Sequence, residues 1–235
     1  SVEVNGEDSY AVLSAPVDIH TGITIPKTRF PASNALTRKN RDLWVDLSRG
    51  KNLALGKKVV FAPAPDYHLT KKGNTDSHDL TDGNLADRSN DAIWFSKNAV
   101  GWRGSAGEGV NFKIDLGKEQ KVGDVIVRLL GGKAQPNLSL PKSIEVFVSR
   151  DGKKFYKASE MNKLMPGEKN QCDWQRYYYL SEDGVPFTYP FKLKVDADAR
   201  FVGLRITGSS GWLFTDEIAT LEGNKITDAA YETPD

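Results

Sequence analysis

The sequence predicts an all-β protein, an antiparallel β-sandwich of the jelly-roll type with an N-terminal arm. Segments that alternate apolar and polar residues, as half-buried strands do, recur from Asn52 onward. Turn residues separate them, since the chain holds 21 Gly and 11 Pro. No segment shows a convincing helical period. Short strands divided by turns are typical of a sandwich or a barrel.

Seven stretches carry the strand pattern. The strongest local signal is the hairpin around Asp151-Gly152, because Asp-Gly supplies the positive φ angles that a tight turn requires. Two later stretches flank an Asp-Ala-Asp-Ala sequence, which predicts that they pair with each other. The predicted strands are Val110–Leu116, Lys121–Leu129, Ser143–Ser149, Lys154–Ala158, Phe191–Val195, Phe201–Ile206 and Glu217–Leu221.

Residues 1–50 differ from the rest and are expected to form an arm or an added sheet edge. They contain two short extended stretches, Tyr10–Leu13 and Gly22–Pro26, and end in the apolar stretch Leu43–Leu47. The tail of a neighbouring domain is an equally good interpretation. The sandwich is expected to span residues 51–224, and residues 225–235 to form a C-terminal tail.

Composition and charge exclude several classes of function. The 32 Lys and Arg residues balance 31 Asp and Glu residues, and no long basic run supplies the footprint of a nucleic-acid-binding protein. Apolar runs such as Val59–Ala62 are far shorter than the roughly 20 residues that cross a bilayer. Cys172 is the single cysteine, which leaves no disulfide framework and no thiolate metal cluster.

Seven short motifs follow one another in an order that is itself informative. They are Asn52–Lys57, Leu80–Asn84 with Trp94, Phe112–Gly117, Pro141–Val146, Ser149–Phe155, Ala199–Val202 and Asp216–Ile218. In this order they resemble the discoidin, or coagulation-factor type C, family, a galactose-binding-like β-sandwich that many bacterial carbohydrate-binding modules share. The resemblance implies that fold, a carbohydrate ligand and a secreted, periplasmic or cell-surface location. The chain departs from the family in an insertion at residues 85–93 and in a long excursion at residues 161–189.

The resemblance also implies a structural Ca²⁺ ion. The matching positions are Asp82, Asn84 and Glu217, and a hard dication prefers oxygens from a tight turn and from carboxylates. The alternative is that Asp82 only shapes its turn through a bond to the backbone and that Glu217 is solvated. Three further acidic residues are candidate ligands of the same ion: Asp87, Asp91 and Asp216.

Three aromatic loops are candidates for a sugar platform. Pyranose rings have an apolar face and a rim of hydroxyls, so a binder needs exposed aromatic faces beside polar groups. Glycines flank Trp102 and Trp212, which predicts tight, exposed turns, although packing is the alternative for both. Arg103 has a planar fork that suits vicinal hydroxyls or a uronic carboxylate. The candidate ligand-binding residues are Trp102, Arg103, Trp212, Tyr67 and His68.

The sequence favours binding over catalysis. It lacks a Gly-rich phosphate loop, a Gly-x-Ser-x-Gly elbow and a His-Glu-x-x-His motif, and 31 acidic residues make a chance carboxylate pair unremarkable. We therefore expect a non-catalytic carbohydrate-binding module, accessory to the catalytic domain of a longer polysaccharide-degrading protein. The alternative is a structural or protein-interaction sandwich that supports a catalytic domain and binds no sugar.

Overall fold

The computed structural model of the chain describes residues 10–12, 29–31, 41–67, 70, 75–86, 96–104, 106–131, 141–162, 187–208 and 212–224. Within them lie two short α-helices, α1 (residues 41–47) and α2 (Asp76–Asp79), and a 3₁₀ helix at Ala106–Glu108. The strands of the same residues are β1 (Tyr10–Val12), β2 (Arg29–Pro31), β3 (Val59–Ala62), β4 (Val100–Arg103), β5 (Val110–Gly131), β6 (Ser143–Ser149), β7 (Tyr156–Asn162), β8 (Phe187–Thr207) and β9 (Trp212–Glu222).

Several predicted features lie outside the described residues. They are Gly22–Pro26, His68, Asp87, Asp91, Trp94, Cys172 and the tail at residues 225–235. In the part of the chain that the structure describes, no helix has the length and apolar character needed to cross a membrane.

The prediction of an antiparallel β-sandwich is confirmed. Strands β5 and β8 pair along their whole length, and they contribute to both layers. In one layer, the first half of β5 pairs with β3, the last half of β8 pairs with β6, and β6 pairs with β7. In the second layer, the last half of β5 pairs with β9, and β9 pairs with β4. Apolar side chains of both layers, among them Phe112, Leu204, Val127 and Ile218, form one buried core between them.

The pairing of the two stretches around Asp-Ala-Asp-Ala was predicted wrongly. Phe191–Val195 and Phe201–Ile206 are parts of the single strand β8, and both pair with β5 rather than with each other. The chain bends at this point without reversing its direction, and Asp196 adopts a φ of 48° there. A bend and a turn have the same strand pattern on either side, which is why the sequence does not separate them.

The hairpin at Asp151-Gly152 is confirmed, with a longer loop than a tight turn. Strands β6 and β7 pair from Ser143↔Asn162 to Val148↔Tyr156. Gly152 has a φ of 73°, and the Asp151 carboxylate accepts hydrogen bonds from the amides of Lys153 and Lys154 at 2.8 and 3.0 Å. These bonds lower the pKa of Asp151, because they favour its charged form.

The N-terminal region contains a helix that the sequence did not predict. The apolar stretch at its end forms α1, and Trp44 packs on the outer face of the second layer with Ile126, Ala219 and Leu221. The predicted strand at Tyr10 is confirmed, since β1 pairs with β2 in a separate two-stranded sheet. The helix is therefore packed against the sandwich, although it lies within the residues assigned to the arm.

An ion pair joins β5 and β8 where both strands pass from one layer to the other. Asp115 accepts two hydrogen bonds of 2.9 Å from Arg200, and its Oδ1 also accepts one from the amide of Gly117 at 2.8 Å. Gly117 has a φ of 90°, which favours glycine at this bend. The Arg200 hydrogen bonds, together with the Gly117 amide, lower the pKa of Asp115 from 3.8 to about 2.

We expect the Asp115–Arg200 pair to stabilise the fold above pH 4 and to lose its effect between pH 4 and pH 2. The folded pKa lies below the unfolded one, so the contribution disappears as the carboxylate is protonated. Because both side chains are half exposed, Asp115→Asn should reduce the free energy of unfolding by less than about 1 kcal/mol at pH 7. Urea titrations at several pH values would measure this, and a difference from wild type that persists at pH 2 would contradict it.

Candidate functional site

Two of the predicted ligand-binding residues face each other on the edge strand β4 and its neighbour β9. Arg103 and Trp212 are register partners, and the Arg103 guanidinium lies 5.5 Å from the centroid of the Trp212 ring. Arg103 is exposed and Trp212 is half-buried. The amide of Arg103 donates a hydrogen bond of 2.7 Å to Asp66 Oδ1, which holds the strand end against the preceding loop. The Trp212 ring and the Arg103 guanidinium therefore lie side by side at the surface.

Tyr67 supports this surface from below. Its ring makes edge contacts with Trp212 and Phe214, with centroids 5.3 and 4.8 Å apart. Tyr67 is only 8% exposed, and burial raises the pKa of its hydroxyl, an effect that nearby Arg103 opposes. Tyr67 therefore acts as a packed support for Trp212. We call Tyr67, Arg103, Trp212 and Phe214 the edge platform.

The expectation that Trp102 lies on an exposed turn is wrong. Its side chain is fully buried, its Nε1 donates a hydrogen bond of 3.0 Å to the carbonyl of Pro63, and its ring contacts Phe61 and Phe112. Trp102 and Arg103 are consecutive residues of β4, so their side chains point to opposite faces. Trp102 fills the core, and Arg103 reaches solvent. His68, the fifth candidate, lies outside the described residues.

Gly101 is a part of the site that the sequence analysis missed. It precedes Trp102 on β4, on the same face as Arg103. A Cβ atom at Gly101 would lie 2.7 Å from the Phe214 ring and 2.9 Å from Tyr67 Cβ. The glycine is therefore required by close packing under the edge platform. A glycine inside a strand is a known signal of such close approach.

The predicted metal-binding residues meet at a different place, where the loop after α2 reaches β9. Both carboxylate oxygens of Glu217 lie 3.2–3.3 Å from the amide of Gly83, which donates to them. Asp82 and Asn84 are the neighbours of Gly83, and Asp82 Oδ1 accepts a hydrogen bond from the Asn84 amide at 2.7 Å. Asp82 thus shapes its turn, as the alternative interpretation holds. Glu217 is fully buried, so the part of that alternative in which Glu217 is solvated is wrong.

Asp216, another candidate ligand, faces a buried arginine. A register shift between Val127 and Leu129 places a bulge in β9 opposite Arg128, and bulges re-aim the side chains beside them. Asp216 Oδ2 lies 3.4 Å from Arg128 Nη1, and both side chains are fully buried. Asp216 also accepts a hydrogen bond of 2.9 Å from the Ala86 amide. The buried charge of Asp216 is thus stabilised by Arg128 and by a backbone amide.

Negative charge accumulates around Glu217. Burial, followed by the charges of Asp216 and Asp82, raises the pKa of Glu217 to about 9, because all three disfavour a further carboxylate. A cation at this place would relieve that repulsion, so the charge and the oxygen donors suit a hard ion. Among the described residues, however, no group of three or more His, Cys, Asp or Glu side chains is arranged to hold a metal. Such an ion would need amide and backbone oxygens as well.

We expect Gly101→Ala to disrupt the edge platform. The added methyl group would meet the Phe214 ring and Tyr67 Cβ at less than 3 Å, and such overpacking costs about 1–3 kcal/mol of unfolding free energy. Chemical denaturation and the fluorescence of Trp212 would report the change. Gly203→Ala is the matched control on β8, since its Cβ would make only ordinary contacts of 3.5 Å. Equal stability of the two variants would contradict the packing role of Gly101.

Comparison with solved structures finds modules of similar architecture. A CBM32 module from Clostridium perfringens is 16% identical, covers 74% of this chain and 100% of its own, and has a TM-score of 0.41. The lectin domain of lectinolysin, in complex with Lewis B antigen, is 14% identical (74% and 98% covered, TM-score 0.46). A Streptococcus pneumoniae fucose-binding module is 11% identical (74% and 99% covered, TM-score 0.45).

No protein-family model and no curated protein matches the chain. The solved structures named above are carbohydrate-binding and lectin modules.

Proposed function

We propose that this protein is a non-catalytic carbohydrate-binding module and that the edge platform is its sugar-binding surface. The observation that supports this most directly is the exposed guanidinium of Arg103 next to the half-buried ring of Trp212. An aromatic face packs against the C–H groups of a pyranose, and a guanidinium donates to its hydroxyls. The platform combines both groups on adjacent, hydrogen-bonded strands.

The packing below the platform suits binding because it holds the ring in place before a ligand arrives. Trp212 contacts Tyr67 and Phe214, and Gly101 lets these side chains approach the sheet. A ring that is already ordered loses little conformational freedom when it binds a sugar. Weak binding by a single platform is sufficient for a module attached to a catalytic domain, since attachment raises the local substrate concentration.

A binding role without catalysis agrees with the state of the carboxylates on β9. Asp216 and Glu217 are adjacent, but both are fully buried. Asp216 lies against Arg128, and Glu217 accepts a hydrogen bond from the Gly83 amide. A general acid or nucleophile must reach the bond that it cleaves, and these two side chains have no such access.

The proposal extends to the setting of the module. We place it in a secreted, periplasmic or cell-surface protein, next to a domain that degrades polysaccharides. This part rests on the resemblance of the motifs between Asn52 and Gly223 to the discoidin-type family. The sugar-binding experiment below does not depend on it.

We expect Trp212→Ala and Arg103→Ala each to reduce sugar affinity about tenfold or more, because each removes one half of the platform. Native gels that contain a panel of soluble polysaccharides would show the wild-type protein retarded and both variants migrating freely. Tyr156→Ala and Arg49→Ala are matched controls, since Tyr156 lies on the strand at the other end of the sheet order and Arg49 is exposed beyond α1. They should migrate as wild type does.

Two outcomes of this experiment would count against the proposal. If no polysaccharide retards the wild-type protein, the alternative of a structural or protein-interaction sandwich gains support. If a neutral polysaccharide retards the wild-type protein and both platform variants equally, the sugar binds elsewhere on the molecule.

We also propose that a Ca²⁺ ion binds beside the Asp82-Gly83-Asn84 turn. Asp82 and Glu217 would supply carboxylate oxygens, Asn84 an amide oxygen, and the turn its carbonyl groups, which are the ligands that Ca²⁺ prefers. Burial and then the charges of Asp216 and Asp82 raise the pKa of Glu217, and a cation beside the turn would offset those charges. The ion would connect the turn to β9 and stabilise the fold.

Thermal melting with and without the ion tests this proposal. A ligand that binds only the folded state, at a concentration of 100 times its Kd, adds about 2.7 kcal/mol of stability, which corresponds to a Tm increase of roughly 5 °C or more for a chain of this size. We expect CaCl₂ to raise the Tm relative to EDTA in the wild-type protein and in Glu222→Gln, whose side chain is exposed. Glu217→Gln should not respond. A wild-type Tm that is the same in both solutions would exclude the site.

A further inference from the structure

A second concave surface lies on the outer face of the first layer, away from the edge platform. It is a groove of about 320 Å³ that crosses β5, β8 and β6. Core side chains of these strands alternate with outward-facing ones. The groove is formed on the outward side by Asn111, Lys113, Phe147 and Gly203, and by Phe155 from the loop after β6.

The groove exists because its floor is a glycine. A Cβ atom at Gly203 would lie 3.5 Å from Phe147 Cβ and 3.5 Å from Phe155 Cε1, so the two phenylalanines flank the space above it. Both are half-buried, which leaves part of each ring open to a ligand. Gly203 has no positive φ, so backbone geometry does not require glycine here. Its effect is to leave room between two aromatic walls.

Positive charge borders the groove on one side. Lys113 lines it and is exposed, and Arg205 stands two residues from Gly203 on the same face. Arg205 donates to the carbonyl of Glu108, a neutral acceptor. Of the acids on this face, Glu145 and Glu160 share the ammonium of Lys157, and Asp115 pairs with Arg200. Among the described residues that line the groove, Lys113 is charged and none is acidic, so the lining carries a net positive charge.

We infer that this groove is a second sugar-binding site and that it takes a sugar residue that carries a carboxylate, such as a uronate. The two phenylalanine rings pack against the apolar face of the pyranose. Lys113 pairs with the carboxylate, and the exposed amide of Asn111 borders the ring hydroxyls. A neutral sugar would leave the charge of Lys113 unused, so the site distinguishes acidic from neutral residues.

Such a site would give the module two surfaces of different specificity. The edge platform is built on β4 and β9, and the groove on β5, β6 and β8. These strands belong to opposite layers in the regions concerned. One polysaccharide chain, or two neighbouring chains, can then occupy both surfaces, and the combined affinity exceeds that of either site.

The test uses polygalacturonate and alginate as carboxylated probes in native gels, with highly methyl-esterified pectin as the neutral counterpart of polygalacturonate. We expect at least one acidic polysaccharide to retard the full chain more strongly than the esterified pectin, and salt to weaken this effect. Lys113→Gln should reduce the affinity about tenfold, and Lys113→Arg should retain it. Lys121→Gln is the control, since Lys121 is an exposed lysine of the same strand that lies beyond its bend.

Filling the groove provides an independent variant. Gly203→Val places methyl groups between Phe147 and Phe155 and should abolish binding of the acidic probe, and β-branched residues suit a strand. Gly203→Ala, whose Cβ makes only ordinary contacts, replaces it if melting shows that the valine variant is unfolded, and should weaken binding. Retardation by neutral polysaccharides should be unchanged in both.

The inference is overturned if neither acidic polysaccharide retards the protein, or if the Lys113 and Gly203 variants bind it as the wild type does. Loss of acidic binding in Trp212→Ala but not in Lys113→Gln would assign the acidic sugar to the edge platform. That result would remove the second site and leave the proposed function intact. Acidic binding that depends on Lys113, without any binding of neutral sugars that depends on Trp212, would keep the groove site and remove the edge platform as a sugar-binding surface.

Discussion

The pairing of β5 with β8 is the constraint on which the rest of the sandwich depends. These two strands form a continuous antiparallel ladder from Val110↔Ile206 to Gly131↔Phe187, interrupted only by register shifts at the bend. Every other strand of the sandwich is placed by its position relative to this ladder. Strands β3 and β6 attach to one half of it and β9 to the other. The apolar faces of the two halves then enclose the core.

This arrangement places the two candidate sugar-binding surfaces on opposite layers, and each surface depends on a glycine. Strand β4 is the terminal strand of its layer, so its outward residues are free to present Arg103 to solvent. In the other layer the absence of a side chain at Gly203 leaves a gap between two phenylalanines. Glycine serves both surfaces by different means. Gly101 allows aromatic rings to approach the sheet, and Gly203 leaves a space open.

The sequence predicted the strands well because alternation and Asp-Gly turns are local signals. It did not show that Val110–Leu116 and Lys121–Leu129 are parts of one strand, or that the stretches on either side of Asp-Ala-Asp-Ala are. Pairing partners are decided by contacts distant in sequence. Trp102 and Trp212 have similar glycine-rich surroundings, and the face of β4 and β9 on which each lies depends on register. The short helix at Trp44 was missed because two turns are too few for a clear period. Only the family resemblance predicted that Glu217 lies close to the turn at Asp82.

Helix α1 covers one face of the sandwich through Trp44, and this contact bears on where the folding unit begins. Trp44 lies over Arg128, with the guanidinium 6.0 Å from its ring centroid, and Arg128 forms a fully buried pair with Asp216. Buried charges of this kind depend on the groups that surround them. A truncated chain starting at residue 51 would leave this pair facing water and expose Ile126 and Leu221. We therefore expect a fragment as stable as the whole chain to include α1 and to start at or before residue 41, ten residues or more upstream of the boundary that strand patterns alone suggest.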